Sequence, residues 1–213
     1  MTRGKLIVFE GIDASGKSSQ ANLADEHYTE QGHKIYLSAE PTDGPAGRLL
    51  RFEFRGTLFA GVKDQYLRAG LFMVDRRDHA FEIEKRRATG ENAFVDRYML
   101  SSFAYQTVGW EGDRVPTVPL ETLEQMHEGL PRPDLTLYID VPVEVAMERM
   151  KFRIEEREKM ERAETLEKVR SNYLSLVKSR GEEHNIVVIK GWDRNVLAVL
   201  EDCKTHIDRV LAS

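Results

Sequence analysis

The 213 residues are 41% hydrophobic and 31% charged, with a formal net charge of −5. That composition suits one sizeable globular domain and excludes a low-complexity or disordered chain. It also speaks against a dedicated nucleic-acid binder, which carries a basic excess. A single cysteine, Cys203, leaves no intramolecular disulfide to form. No apolar run reaches membrane-spanning length, and a strand begins almost at once without the apolar core of a signal peptide. A cytoplasmic protein with no membrane or nucleic-acid partner is expected.

Five short, nearly continuous apolar runs read as strands covered on both faces: 5–10, 34–38, 93–96, 135–140 and 185–190. Helical patterns lie between them. The last is the clearest, with Val196, Leu200, Cys203, Ile207 and Val210 recurring at helix spacing after Asp193. Strand alternating with helix predicts a parallel sheet in a doubly wound α/β fold, with ligands beyond the strand carboxyl ends. Glu10, Glu40, Asp96 and Asp140 stand at those ends.

After the first strand, Gly11-Ile12-Asp13-Ala14-Ser15-Gly16-Lys17-Ser18 satisfies G-x-x-x-x-G-K-[ST] and leads into a helical pattern beginning Ser18-Ser19. Such a loop turns its backbone N–H groups inward, and with the helix N-terminus it forms a seat for phosphate oxygens. Lys17 adds charge beside the β- and γ-phosphates of ATP, and the Ser18 hydroxyl suits Mg²⁺. A P-loop α/β/α fold with a five-stranded parallel sheet is therefore expected.

A helix is predicted through "AGLFMVDRRDHAFEIEKRR", where Phe72 and Arg76 share a face. A ring beside a guanidinium fork can stack a base and bond its edge. The residues alone equally allow Phe72 in the core and Arg76 in a surface ion pair. In "VDRYMLSSFAYQ", Asp96 ends a strand where a carboxylate helps hold Mg²⁺, and Arg97 follows at the rim, suited to a phosphate. Ser101, Ser102, Tyr105 and Gln106 follow on a predicted helix.

In order along the chain, "FEGIDASGKSS", "EPTDGPAGRLLR", "LFMVDRRDH", "DRYMLSSFAYQ" and "IDVPVEVAMERM" resemble the thymidylate kinase family. The "EPTDGP" form is closer to its archaeal members. The resemblance implies a single kinase domain over 1–213, a homodimer, and transfer of the γ-phosphoryl of MgATP to dTMP. It implies that Asp13 meets the deoxyribose 3′-hydroxyl, Phe72 stacks on thymine and Arg76 bonds its O4 edge. Arg97 would hold the acceptor phosphate, with Ser102 near the base N3, Tyr105 against the sugar and Gln106 closing the pocket wall. Glu40-Pro41, where a cis bond is possible, and Arg51 would belong to the acceptor loop.

Some relatives carry an arginine in the phosphate loop where Ala14 and Ser15 stand here. The missing charge is expected from a short helical lid near 149–163, where Arg149, Arg153 and Arg157 form one stripe at spacings of four. Arg153 is assigned to the phosphates and Arg149 to the border of the adenine or its phosphates. A solvated helix paired through Glu155, Glu156 and Glu161 is the alternative for this stripe. Two further alternatives are a similar kinase acting on another monophosphate or nucleoside, and a nucleotide-binding switch without catalysis.

Overall fold

The computed structural model describes residues 2–54, 64–108, 117–150 and 163–213. In chain order the elements are β1 (Leu6–Glu10), α1 (Lys17–Glu30), β2 (Ile35–Ala39), α2 (Pro45–Phe54), α3 (Gln65–Ala88), β3 (Asn92–Asp96) and α4 (Met99–Tyr105). Then come α5 (Leu120–Met126), β4 (Leu135–Asp140), α6 (Val143–Met150), α7 (Ala163–Arg180), β5 (Ile186–Lys190) and α8 (Val196–Leu211).

The strands form one parallel sheet in the order β2-β3-β1-β4-β5. β1, β3 and β4 are central and almost wholly buried, which explains their unbroken apolar sequences. β2 and β5 are the edges and are only half covered. α1 and α8 pack together on the sheet, while α3 covers β3 and α4 leans on α7. The result is a three-layer α/β/α fold, as the sequence predicts.

All five predicted strands are present, with ends shifted by about one residue. α8 begins at Val196, where its periodicity starts. Asp193 takes a left-handed turn, and Asn195 caps the helix by accepting from Ala198 N at 2.8 Å. Val196, expected on the buried face, is exposed in the first turn, and Val199 packs instead with Leu200, Cys203 and Ile207. Cys203 is buried, and burial pushes its thiol up to about 12, so it behaves as a small apolar side chain. No helix among the described residues is long and apolar enough to cross a membrane.

The connection after β1 runs to β2 on one side, and the connection after β3 runs to β4 on the other. The crevice between the carboxyl ends of β1 and β3 is therefore the switch point where such sheets bind ligands. Phe9 pairs with Asp96 in register, so Gly11 and Arg97 leave the sheet side by side.

Candidate active site

The loop that leaves β1 wraps tightly. Gly11 has φ 153°, and a Cβ there would lie 2.6 Å from Ser15 Oγ and 2.7 Å from Ile139 O, so only glycine fits. Ser15 N donates to Ile12 O at 3.1 Å, and Ile12 and Ala14 are buried beneath the turn. Gly16 caps α1 without a side-chain partner of its own, and Lys17 N donates to Ser15 Oγ at a long 3.4 Å, so the helix N-terminus can still turn its N–H groups to an anion. Lys17 and Ser18 open α1, and Ser19 follows on its exposed side.

Lys17 is only 6% exposed, and its Nζ rests against Ile12 O at 3.5 Å and Asp13 Oδ1 at 3.9 Å. Burial lowers its pKa, as does the charge of Arg97, against the opposing pull of Asp96, Asp13 and Glu10. A polyphosphate would relieve that strain on its charge. Ser18 Oγ donates to Asp96 Oδ2, while the buried Oδ1 of Asp96 has no hydrogen-bond partner among the described residues. An orphaned carboxylate oxygen beside a hydroxyl at the phosphate loop fits a hard, oxygen-loving cation.

Arg97 sits between the two halves of the crevice. Its Nη2 pairs with Asp13 Oδ1 and reaches Tyr105 OH at 3.5 Å; its Nη1 donates to Ser101 Oγ at 3.1 Å and Gly11 O at 3.4 Å. The guanidinium lies 5.0 Å from the centre of the Tyr105 ring. Burial works against this charge, but Tyr105, Asp13, Tyr173 and Asp96 together outweigh it and hold its pKa well above the ordinary arginine value.

Glu10, fully buried at the end of β1, organises this corner. Its Oε1 accepts from Tyr98 N at 2.8 Å and Ser101 N at 3.1 Å, capping α4 from another strand. Its Oε2 accepts from Ser101 Oγ at 2.6 Å and Tyr173 OH at 2.8 Å. Ser101, expected at the substrate, thus has its hydroxyl engaged by Glu10 and Arg97. Arg149, at the end of α6, donates to Ala14 O at 3.2 Å, Ser15 O at 3.0 Å and Gly191 O at 2.7 Å. It staples the phosphate loop to the β5–α8 turn.

Across the crevice, α3 presents Asp75, Arg76 and His79 inward. Asp75 holds the β2–α2 loop by accepting from Thr42 N at 2.8 Å and Thr42 Oγ1 at 2.6 Å. Glu40, 5% exposed and joined to Pro41 by a cis bond, takes Arg76 Nε at 2.7 Å and His79 Nδ1 at 2.9 Å. Arg76 Nη1 donates to Ser102 Oγ at 2.7 Å and to His127 Nε2 at 2.5 Å. Gln106, just past α4, donates to the same Ser102 hydroxyl at 3.3 Å and keeps a buried oxygen with no partner among the described residues. Phe72, half-buried, lies one turn before Arg76. Arg51 reaches Pro41 O and stands 3.8 Å from Asp43, steadying the loop from its exposed side.

The structure thus brings Asp13, Lys17, Ser18, Asp96, Arg97, Ser101 and Tyr105 together, and separately joins Glu40, Arg76, Ser102 and Gln106. Arg76 is a buried group held through its Nε and Nη1 rather than half of a surface ion pair. Arg153 and Arg157 lie outside the described residues. Glu10 is expected at the strand-end rim but not as a hub, and Asp75, His79, His127 and Tyr173 are not singled out by sequence reasoning as site-building residues. Asp75 and His79 belong to the unbroken polar run 75–79, in which the sequence does not mark the members that turn inward.

A family model described as thymidylate kinase matches residues 9–197. A probable thymidylate kinase from Pyrococcus abyssi is 39% identical over 177 residues, covering 82% of this chain and 83% of that protein. One from Pyrococcus horikoshii is 35% identical over 208 residues, covering 96% and 94%. A solved thymidylate kinase structure from Candida albicans shares the fold, with a TM-score of 0.80 at 23% identity, covering 97% of this chain and 92% of that one. With that match spanning both the phosphate loop and the Arg76 pocket, the chain belongs to the thymidylate kinase family.

Proposed function

We propose that the protein transfers the γ-phosphoryl group of ATP to dTMP, giving dTDP and ADP. The observation that carries the acceptor assignment is Arg76, buried and oriented by Glu40 and Ser102 one helical turn from Phe72. In this reading Phe72 stacks on the pyrimidine, Arg76 bonds its O4 edge, Ser102 and Gln106 line the base, and Tyr105 crowds the sugar 2′ position. Glu40, Pro41 and Arg51 shape the acceptor loop.

Phosphoryl transfer asks for positioning and positive charge more than for a base. Backbone groups from Gly11 to Ser19 cradle the donor phosphates, and Lys17 neutralises charge at the transferring group. Arg97 exchanges part of its pairing with Asp13 for the acceptor phosphate, leaving Asp13 to accept from the sugar 3′-hydroxyl. Ser18 and Asp96 would hold Mg²⁺, which when bound neutralises the phosphate oxygens. Arg149 borders the adenine. Arg153, assigned from the resemblance alone, supplies lid charge within a single kinase domain over 1–213.

We also assign a cytoplasmic homodimer. Tyr66, Leu67, Val74 and Phe81 are large apolar groups exposed on α3, Phe81 at 74%, which supports an interface on that helix. Sedimentation of a Val74→Asp variant tests it: the dimer should dissociate.

The deciding experiment for the reaction is coupled turnover with MgATP and a panel of acceptors. dTMP should be preferred over dCMP, UMP and free thymidine. A preference for UMP or for a nucleoside would overturn the acceptor assignment, and ATP binding without any turnover would favour a switch.

A further inference from the structure

We infer that His127, at the end of α5, is a positioning residue for acceptor recognition: it accepts a hydrogen bond from Arg76 and fixes the direction of that guanidinium. This deepens the proposed reading of Arg76 and rests on it.

The polarity of the contact follows from its two neighbours. His127 Nδ1 lies 2.6 Å from Leu123 O, a carbonyl that can only accept, so Nδ1 carries the proton. Nε2 then offers a lone pair, and Arg76 Nη1, which can only donate, points at it. The ring is clamped further by the edge of Phe103, with centroids 5.0 Å apart at 70°. Its backbone N–H turns back to Leu123 O and Glu124 O, each at 3.1 Å, closing α5. Burial, then the charge of Arg76, pushes its pKa down to about 3, so the imidazole is neutral at working pH.

A neutral acceptor is what this place requires. Glu40 already balances the charge of Arg76. A second carboxylate would turn the set negative and repel both the pyrimidine oxygen and the acceptor phosphate. His127 adds direction without adding charge. Together Glu40, Ser102 and His127 occupy Nε and Nη1 of Arg76, and Nη2 makes no hydrogen bond among the described residues. Nη2 is therefore the arm free to meet a base edge.

His127 also lines a cavity of about 300 Å³ with Phe103, Leu130, Arg180 and His184. Removing the imidazole would open its place to that cavity, so a small molecule could enter and stand in for the ring. This gives a test that packing alone would not pass.

Steady-state kinetics of the full chain, with circular dichroism to confirm folding, would compare wild type with His127→Ala, His127→Leu and His127→Gln. The alanine and leucine variants should raise KM for dTMP about tenfold, with kcat and KM for ATP within about threefold. His127→Gln should stay near wild type, because its amide can accept from Arg76 and donate to Leu123. Added imidazole should restore the alanine variant, more strongly as pH rises through the ligand's own pKa, since only neutral imidazole accepts. An unchanged KM for dTMP in a folded alanine or leucine variant overturns the inference. So do equal losses for both substrates, or a loss that neither imidazole nor glutamine reverses. If alanine fails to fold, the leucine and glutamine pair decides. Wild-type turnover of dTMP, measured first, tests the functional reading separately, and its absence would remove both.

Discussion

Lys17 and Arg76 are both buried cations facing one crevice, yet they are held by different means. Lys17 stands in a cradle made of consecutive residues, its ammonium against the Ile12 carbonyl and the Asp13 carboxylate. Arg76 is held by Glu40, Ser102 and His127, which lie 36, 26 and 51 positions away in sequence. The first site is built from a local backbone turn. The second exists only when α3, α4, α5 and the β2–α2 loop have all arrived. Damage to the loop should therefore silence chemistry and spare the fold, whereas damage to the pocket should weaken both.

The largest expected effect comes from the loop side. Lys17→Met should lower kcat about 10²–10³-fold with little change in melting temperature, as read by coupled assay and calorimetry. Arg153→Ala should lower kcat about 100-fold with only a modest change in nucleotide KM; an unchanged kcat would remove it from the mechanism. On the pocket side, Arg76→Met leaves the Glu40 carboxylate buried with His79 as its one side-chain partner among the described residues. It should cost about 3 kcal/mol in urea unfolding as well as raising KM for dTMP. Adding Glu40→Gln should return part of the stability and none of the affinity. Full stability of the single variant would mean that the Arg76 pocket, like the phosphate loop, is not needed for the fold.

Gly47 sharpens the comparison at smaller amplitude. A Cβ there would sit 2.1 Å from Thr42 O and 2.7 Å from Asp75 Oδ1. Gly47→Ala should cost about 1–3 kcal/mol and raise KM for dTMP while leaving KM for ATP unchanged. The smallest effect is a pH slope. The unfolded chain protonates His127 near its ordinary 6.5, whereas the fold, through burial and the charges of Arg76 and Arg77 with nearby His184, delays protonation to about 3. This group's contribution to stability is thus intact above 6.5 and lost as pH falls toward 3, by about 1.4 kcal/mol per unit. Stability curves of His127→Gln should be flatter across that window.

The same contrast explains what could be read from residues alone. Central strands declared themselves because burial on both faces leaves an unbroken apolar run, and the phosphate loop because its function needs fixed residues at fixed spacing. Arg97, adjacent to the strand-ending Asp96, was visible for the same reason. Arg76 could be named but not distinguished from a surface cation, because its partners come from distant segments. Glu10 looked like one more strand-end carboxylate, and only the packing of α4 and α7 turns it into a cap. His127 carries no signal at all: a histidine at the end of a short helix gains meaning from what lies beyond it. Val196 misled because periodicity does not say where a helix first touches the sheet.

Arg97 holds φ at 70°, a conformation that side chains other than glycine rarely adopt. Its backbone N–H is tied to Phe9 O at 2.9 Å, so the neighbouring strand enforces the unfavourable twist at a cost of about 1–3 kcal/mol. Glycine would relax that residue at once, and with it would vanish the guanidinium. Selection for robustness and selection for turnover thus pull this position in opposite directions. A library screened only for heat resistance should drift toward inactive survivors here.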